Sequence, residues 1–209
     1  MSMNKALKIV SILEKEIEID WFLKHQDPFK VLIKTLLSQR TRDENTDLAS
    51  RRLFSKFRNA KQLAKANLKG IETLIKPSGF YRVKAKRIRE ISRIVARNNG
   101  RVPRDMDGLL KLPGVGRKTA NCVLVYAHRE PSIPVDTHCH RIPNRIGLVK
   151  TKNPEQTEIE LMRIVPKKDW IKINELFVKF GQRICKPVKP LCYNCPIERL
   201  CEYEDKNLK

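Results

Sequence analysis

At 209 residues the chain is long enough for one large domain or two small ones with real cores. Lysine and arginine number 44 against 23 acidic residues, and the net charge of +21 is the footprint of a protein that meets polyanions, most often nucleic acid. No apolar run approaches the ~18 residues needed to span a bilayer, and Met1-Ser2-Met3-Asn4-Lys5-Ala6 does not open a signal peptide, so no membrane-spanning segment and a cytosolic protein (nuclear, if the source has a nucleus) are expected.

Apolar residues recur at helical spacing and never alternate with polar ones for long, which predicts an all-α fold. A first helix runs over about residues 5–17, carried by Leu7, Val10, Leu13 and Ile17. Asp27-Pro28 supplies an N-cap and a first-turn proline for an apolar core helix through Val31, Leu32, Ile33, Leu36 and Leu37. Ser38-Gln39-Arg40-Thr41-Arg42 breaks that pattern, and Asp43 then caps a helix reaching about Phe57. Two short helices follow, near 60–66 and 68–75, and stop at Pro77-Ser78-Gly79. A longer one covers about 82–98, with Ile88, Ile91 and Val95 facing inward and Gly100 as its stop signal. Further on, a helix starts or is interrupted near Pro143, Asn153-Pro154-Glu155-Gln156 opens another with a capping box, and a last one spans about 170–180.

Between predicted helices at 105–112 and 118–127 lies the stretch around which the chain is organised, Leu112-Pro113-Gly114-Val115-Gly116-Arg117-Lys118. Gly114 and Gly116 can take backbone conformations closed to other residues and leave their N–H groups open to a ligand. The following helix points its positive end at the same place, which suits an anion such as a DNA phosphate. This is the pattern of a helix-hairpin-helix, although an ordinary turn between helices uses the same glycine and proline. Downstream, Asp136 in Val135-Asp136-Thr137-His138 reads either as the N-cap of the next helix or as a working carboxylate. His138 and His140 read as structural.

Of six cysteines, four crowd into C-x6-C-x2-C-x5-C: Cys185, Cys192, Cys195 and Cys201. A reducing compartment argues against a disulfide framework. Four thiolates on one short loop surround either a tetrahedral zinc or a [4Fe–4S] cube. Structural zinc sites more often place two close pairs well apart, whereas only Cys192 and Cys195 form a close pair here, an arrangement that suits a cube. Cys122 reads as a buried core residue.

Hairpin, lysine, aspartate and cysteine spacing stand here in the order of one family. The chain resembles endonuclease III, the iron–sulfur DNA glycosylases of base excision repair in the helix-hairpin-helix glycosylase superfamily, from about Leu7 to Tyr203. The likeness includes Ile75-Lys76-Pro77-Ser78-Gly79-Phe80-Tyr81 and Gly100-Arg101-Val102-Pro103. It implies two helical domains flanking a DNA-binding cleft, into which a damaged nucleotide is flipped. One is a six-helix barrel domain over 23–132, and the other a discontinuous cluster domain of 1–22 plus 133–209. It further implies a monomer acting on double-stranded DNA that contains a damaged base, oxidised pyrimidines above all, or an abasic site. In a prokaryote that places it in the cytoplasm, at the nucleoid.

By position, the resemblance makes Lys118 the catalytic nucleophile and Asp136 the aspartate that assists it. Leu112, Pro113, Gly114, Val115 and Gly116 become the phosphate-gripping hairpin, and Cys185, Cys192, Cys195 and Cys201 the [4Fe–4S] ligands. Lys186 and Lys189 look like the basic loop that meets the DNA backbone. One departure stands out. The family often has a glutamine in the turn after the first core helix, filling the gap left by the flipped base. Arg40 aligns with it and Gln39 sits one residue earlier, so either serves that role. Pro77 and Ser78 alter a loop that lines the base pocket.

The chemistry fits a bifunctional glycosylase and β-lyase. A neutral lysine amine displaces a base at C1′ and then holds the sugar as an imine, and a basic neighbourhood beside a helix N-terminus disfavours the ammonium of Lys118. A carboxylate at Asp136 takes a proton or stabilises the positive charge that grows on the sugar. The rivals are a monofunctional glycosylase, which usually lacks this lysine, a non-enzymatic DNA-binding module, and a zinc-stapled RNA-binding protein.

Overall fold

The computed structural model describes residues 2–19 and 26–209. Among the described residues there are eleven α-helices and no strand. The chain divides into two compact units, one of Met1–Lys24 with Arg129–Lys209 and one of His25–His128. The boundary expected between residues 22 and 23 lies outside the described residues.

The continuous unit holds α2 (Pro28–Ser38), α3 (Asp43–Lys56), α4 (Ala60–Lys65), α5 (Leu68–Ile75), α6 (Tyr81–Arg97), α7 (Met106–Leu110) and α8 (Arg117–Val123). Asp27 starts α2 as its residue type predicts, its Oδ1 accepting from the N–H groups of Phe29 at 2.8 Å and Lys30 at 3.2 Å. The helix then buries Phe29, Val31, Leu32, Ile33, Leu36 and Leu37 and packs against α3, α6 and α8. With Leu36 fully buried, Leu36→Ala should cost about 2–5 kcal/mol, counting transfer and cavity together. Asp43 does not cap α3. Arg42 holds the N-cap position without a side-chain bond, and Asp43 is the first helical residue, where its charge still meets the positive helix end. The short helices α4 and α5 are capped by Asn59 and Asn67.

The discontinuous unit holds α1 (Ser2–Glu16), α9 (Thr137–Arg145), α10 (Pro154–Ile164) and α11 (Trp170–Arg183). Its core gathers Leu13, Ile142, Leu161, Phe177 and Phe180 from all four helices. Pro143 lies inside α9 rather than at its start. At α10 the Asn153 side chain accepts from Gln156 N at 2.9 Å, while the Gln156 side chain accepts from Lys152 N at 3.0 Å, one residue beyond the N-cap N–H that a capping box would use. In α11, Gly181 permits close packing, since a Cβ there would collide with His138 and Ile142 of α9.

One side chain breaks the pattern of the first core. Lys84 of α6 is 3% exposed, and its ammonium donates to Leu37 O at 2.7 Å, Thr41 Oγ1 at 2.8 Å and Ser78 O at 2.7 Å. Burial pushes its pKa down from 10.5 to about 8. A lysine depressed in the folded state binds fewer protons folded than unfolded between those two values, so its contribution to stability rises with pH across about 8 to 10.5. Thermal melts on either side of that window should therefore show a gain that Lys84→Met loses.

Candidate active site

In the hairpin, Leu112-Pro113-Gly114-Val115 forms a type II turn. Proline and glycine take the two central positions, Gly114 has φ +74°, and Val115 N–H bonds to Leu112 O at 3.1 Å. Leu112 and Val115 are buried, which anchors the turn by its two ends, while Gly114 and Gly116 are exposed. The two glycines differ in kind. A Cβ on Gly114 would sit 2.5 Å from Arg87 Cδ, in addition to the strain of its positive φ. Gly116 has φ −97°, open to any residue, and a Cβ there would meet nothing within 4 Å. Of the two glycines, Gly114 alone uses the conformational freedom that both possess. Gly114→Val should lower thermal stability, whereas Gly116→Ala should leave the melt unchanged, so that any loss of DNA affinity in the latter reports close approach of a ligand.

Lys118 is exposed and is the second residue of α8, which continues as a π-helix through Leu124–His128. The turn expected to reach DNA is tied to this region by Gln39, whose Nε2 donates to Gly114 O at 3.0 Å and Thr119 Oγ1 at 3.2 Å. Arg40 beside it is exposed, with φ +52°. A cavity of about 360 Å³ opens next to this turn, lined by Gln39, Arg40, Phe80, Val83, Lys84 and Arg87. Pro77 and Ser78 form a 3₁₀ turn, with Ser78 fully buried. Lys84 went unnoticed in the sequence, where it is one of 44 basic residues.

Asp136 lies in the other unit and caps α9, its Oδ1 accepting from His138 N at 2.9 Å and Cys139 N at 2.8 Å. The capping reading of this residue thus holds structurally, and because both bonds fall on Oδ1, Oδ2 takes no part in the cap. His140 Nδ1 pairs with Thr157 Oγ1 at 2.7 Å. His138 Nδ1 faces Arg141 Nη2 at 3.1 Å and accepts there, since a guanidinium only donates.

Cys185, Cys192, Cys195 and Cys201 line a single cavity together with Arg145, Ile146, Phe180, Ile184, Pro190, Leu191 and Tyr203. Among the described residues no three His, Cys, Asp or Glu side chains gather closely enough to hold one metal ion. Burial pushes the thiol of Cys195 up to about 11, and its neighbours Cys201, Cys185 and Cys192 add to the rise. Burial also raises Cys185, against the pull of Arg145, whose Nη1 lies 3.8 Å from its Sγ. Arg145 went unnoticed in the sequence. It bonds Lys186 O at 2.7 Å and Pro187 O at 3.0 Å, and stacks 4.4 Å from the Tyr203 ring, bracing the loop whose Lys186 and Lys189 are exposed. Cys122 and Cys139 are buried apart from that loop.

Residues 33–167 match the model of a family described as HhH-GPD superfamily base excision DNA repair protein. The endonuclease III of Thermotoga maritima is 55% identical over 181 residues, covering 86% of this chain and 85% of the relative. A solved non-covalent endonuclease III–DNA complex matches with a TM-score of 0.87 at 34% identity, covering 97% of this chain and 96% of that one. A trapped endonuclease III–DNA covalent intermediate matches with a TM-score of 0.84 at 36% identity, covering 94% and 92% respectively.

Proposed function

The chain belongs to the HhH-GPD superfamily of base excision DNA repair proteins and, within it, to the endonuclease III family, and on that premise we propose that Lys118 is its nucleophile and Asp136 the assisting carboxylate. The protein is a DNA glycosylase with AP lyase activity that acts on DNA in base excision repair. The observation that carries the assignment of Lys118 is its exposed place in the first turn of the helix leaving the hairpin. That a similar endonuclease III was trapped covalently on DNA supports a covalent step.

In this reading the hairpin holds a phosphate beside the lesion through backbone N–H groups. The neutral amine of Lys118 attacks C1′, the glycosidic bond breaks with its electron pair going to the base, and the sugar opens to an imine. Loss of a C2′ proton then expels the 3′ phosphate and cuts the strand. Asp136 takes a proton or offsets the charge growing on the sugar, using the oxygen that does not cap α9. The substrates are oxidised pyrimidines and abasic sites in double-stranded DNA, met by a monomer with a barrel domain and a discontinuous cluster domain, working at the nucleoid in a prokaryote.

Cys185, Cys192, Cys195 and Cys201 would hold a [4Fe–4S] cluster, which supplies a structural staple for its loop when bound. Four thiols lining one small cavity, in the spacing C-x6-C-x2-C-x5-C with only one close pair, support the cube over zinc. A panel of duplexes, each carrying one defined lesion or an abasic site, tests the function when incubated with borohydride. Base release together with a covalent adduct is the expected result. Release without trapping points to a monofunctional enzyme, and neither, across the panel, to a DNA-binding module.

A further inference from the structure

The reaction as drawn makes no use of the buried Lys84. Its ammonium is 3% exposed, and all three of its acceptors are neutral. Burying a cation without a carboxylate costs folding free energy, and a well-packed apolar side chain is the cheaper occupant of such a site. Local rules are broken in this way where function requires it.

The acceptors show what the ammonium holds. Leu37 O and Thr41 Oγ1 lie on either side of Arg40, and Ser78 O lies two residues before Phe80. Arg40 has φ +52° and Phe80 φ +45°, a left-handed backbone that a side chain makes unfavourable. Such conformations persist only where the surroundings over-determine them. Thr41 Oγ1 also bonds Ser78 O, which closes the link between the two turns. Both strained residues are exposed and line the same 360 Å³ cavity, and Phe80 is 63% exposed, unusual for an aromatic.

We propose that Lys84 is a positioning residue for the reaction on duplex DNA, its three hydrogen bonds fixing the two turns that present Arg40 and Phe80 at the rim of this cavity. The link to the duplex rests on the reading of the Gln39–Arg40 turn as the filler of the flipped-base gap. Lys84 touches neither the sugar nor the base, and it acts through the turns.

Lys84→Met keeps the aliphatic stem and removes the donors. Its melting temperature at neutral pH should equal or exceed that of the wild type, because an unpaired buried charge is gone. Its kcat/KM on an abasic duplex should fall about ten- to a hundredfold, the scale of a small misplacement of a distant group. On a single-stranded abasic oligonucleotide, which has no opposing strand to fill against, it should stay near the wild-type value. Thr41→Val removes one acceptor while leaving the lysine, and should show the same selective loss in milder form; it carries the test if Lys84→Met does not fold. Equal losses on both substrates with a lowered melting temperature would reduce Lys84 to a structural residue and overturn the proposal, as would full activity on duplex. Arg40→Ala and Gln39→Ala examine the gap reading separately. If they lose nothing on duplex while Lys84→Met does, the gap reading fails and the clamp stands, acting through the Phe80 turn.

Discussion

Lys118→Ala should form no borohydride adduct with an abasic duplex and should leave the strand uncut, while binding the same duplex with nearly wild-type affinity. The two halves of this result have separate causes. Without the amine there is no imine to reduce and no route to β-elimination, so the loss should reach the uncatalysed background. In the proposed reading binding rests on backbone N–H groups of the hairpin and on a basic surface of which the substitution removes a single charge. An exposed residue also contributes little to the fold, so the variant should melt with the wild type. Trapping that persists in Lys118→Ala would move the nucleophile to another residue. Asp136 asks for a different design, because it caps α9. Asp136→Ala would lose about 0.5–2 kcal/mol with the cap and confuse stability with catalysis. Asp136→Asn keeps an oxygen for the cap and removes only the carboxylate. It should slow base release by roughly 10²–10⁴, the range of a general base. A smaller loss is expected on a ready-made abasic site, where no base departs. Equal stability and equal base release in Asp136→Asn would leave the residue a cap alone.

The second large effect concerns the cysteine loop. Purified protein should be brown and contain iron and sulfide, and Cys192→Ser should lose both together with the stability of its unit. The loop carries little regular structure, and Ile197 in the core and the Lys206–Glu198 ion pair anchor its far end. Around the four cysteines the chain forms only the short 3₁₀ turns Cys192–Asn194 and Glu198–Leu200, braced from α9 by Arg145 and Arg141, the latter bonding Cys185 O at 2.9 Å. Metal-binding energy is folding energy in such a segment. The exposed Lys186 and Lys189 sit on the same loop, so Cys192→Ser should also weaken binding to undamaged duplex and flatten the salt dependence of that binding. Stoichiometric zinc without sulfide in the native protein would refute the cube.

Both experiments start from residues that are visible in the sequence, for a reason rooted in the range of the forces involved. Helix starts at Asp27, Asp105 and Asn153, the type II turn and the cysteine spacing are decided by groups a few residues apart. Hydrophobic spacing likewise fixed the all-α class, since helical periodicity repeats within two turns. Asp43, misread as a cap, shows the limit of that reasoning, because neighbouring residues compete for the cap within one turn of chain.

Longer-range choices belong to the tertiary structure. Gln39 is bonded to Gly114, 75 residues away, while Arg40 beside it is exposed, a difference between the two gap candidates that no local spacing shows. Lys84 meets Leu37 across 47 residues, and no local pattern distinguishes such a lysine from the many solvated ones around it. Asp136 shows its capping bonds in the structure, but its choice of oxygen decides which variant can separate cap from chemistry. What the sequence determined by itself is therefore the helices, the hairpin, the nucleophile candidate and the thiol set, each written in short spacings. Only the folded chain decided which turn residue faces out, which glycine needs its positive φ, and which buried cation holds the turns. Those depend on hydrogen bonds and contacts between segments that the sequence keeps far apart.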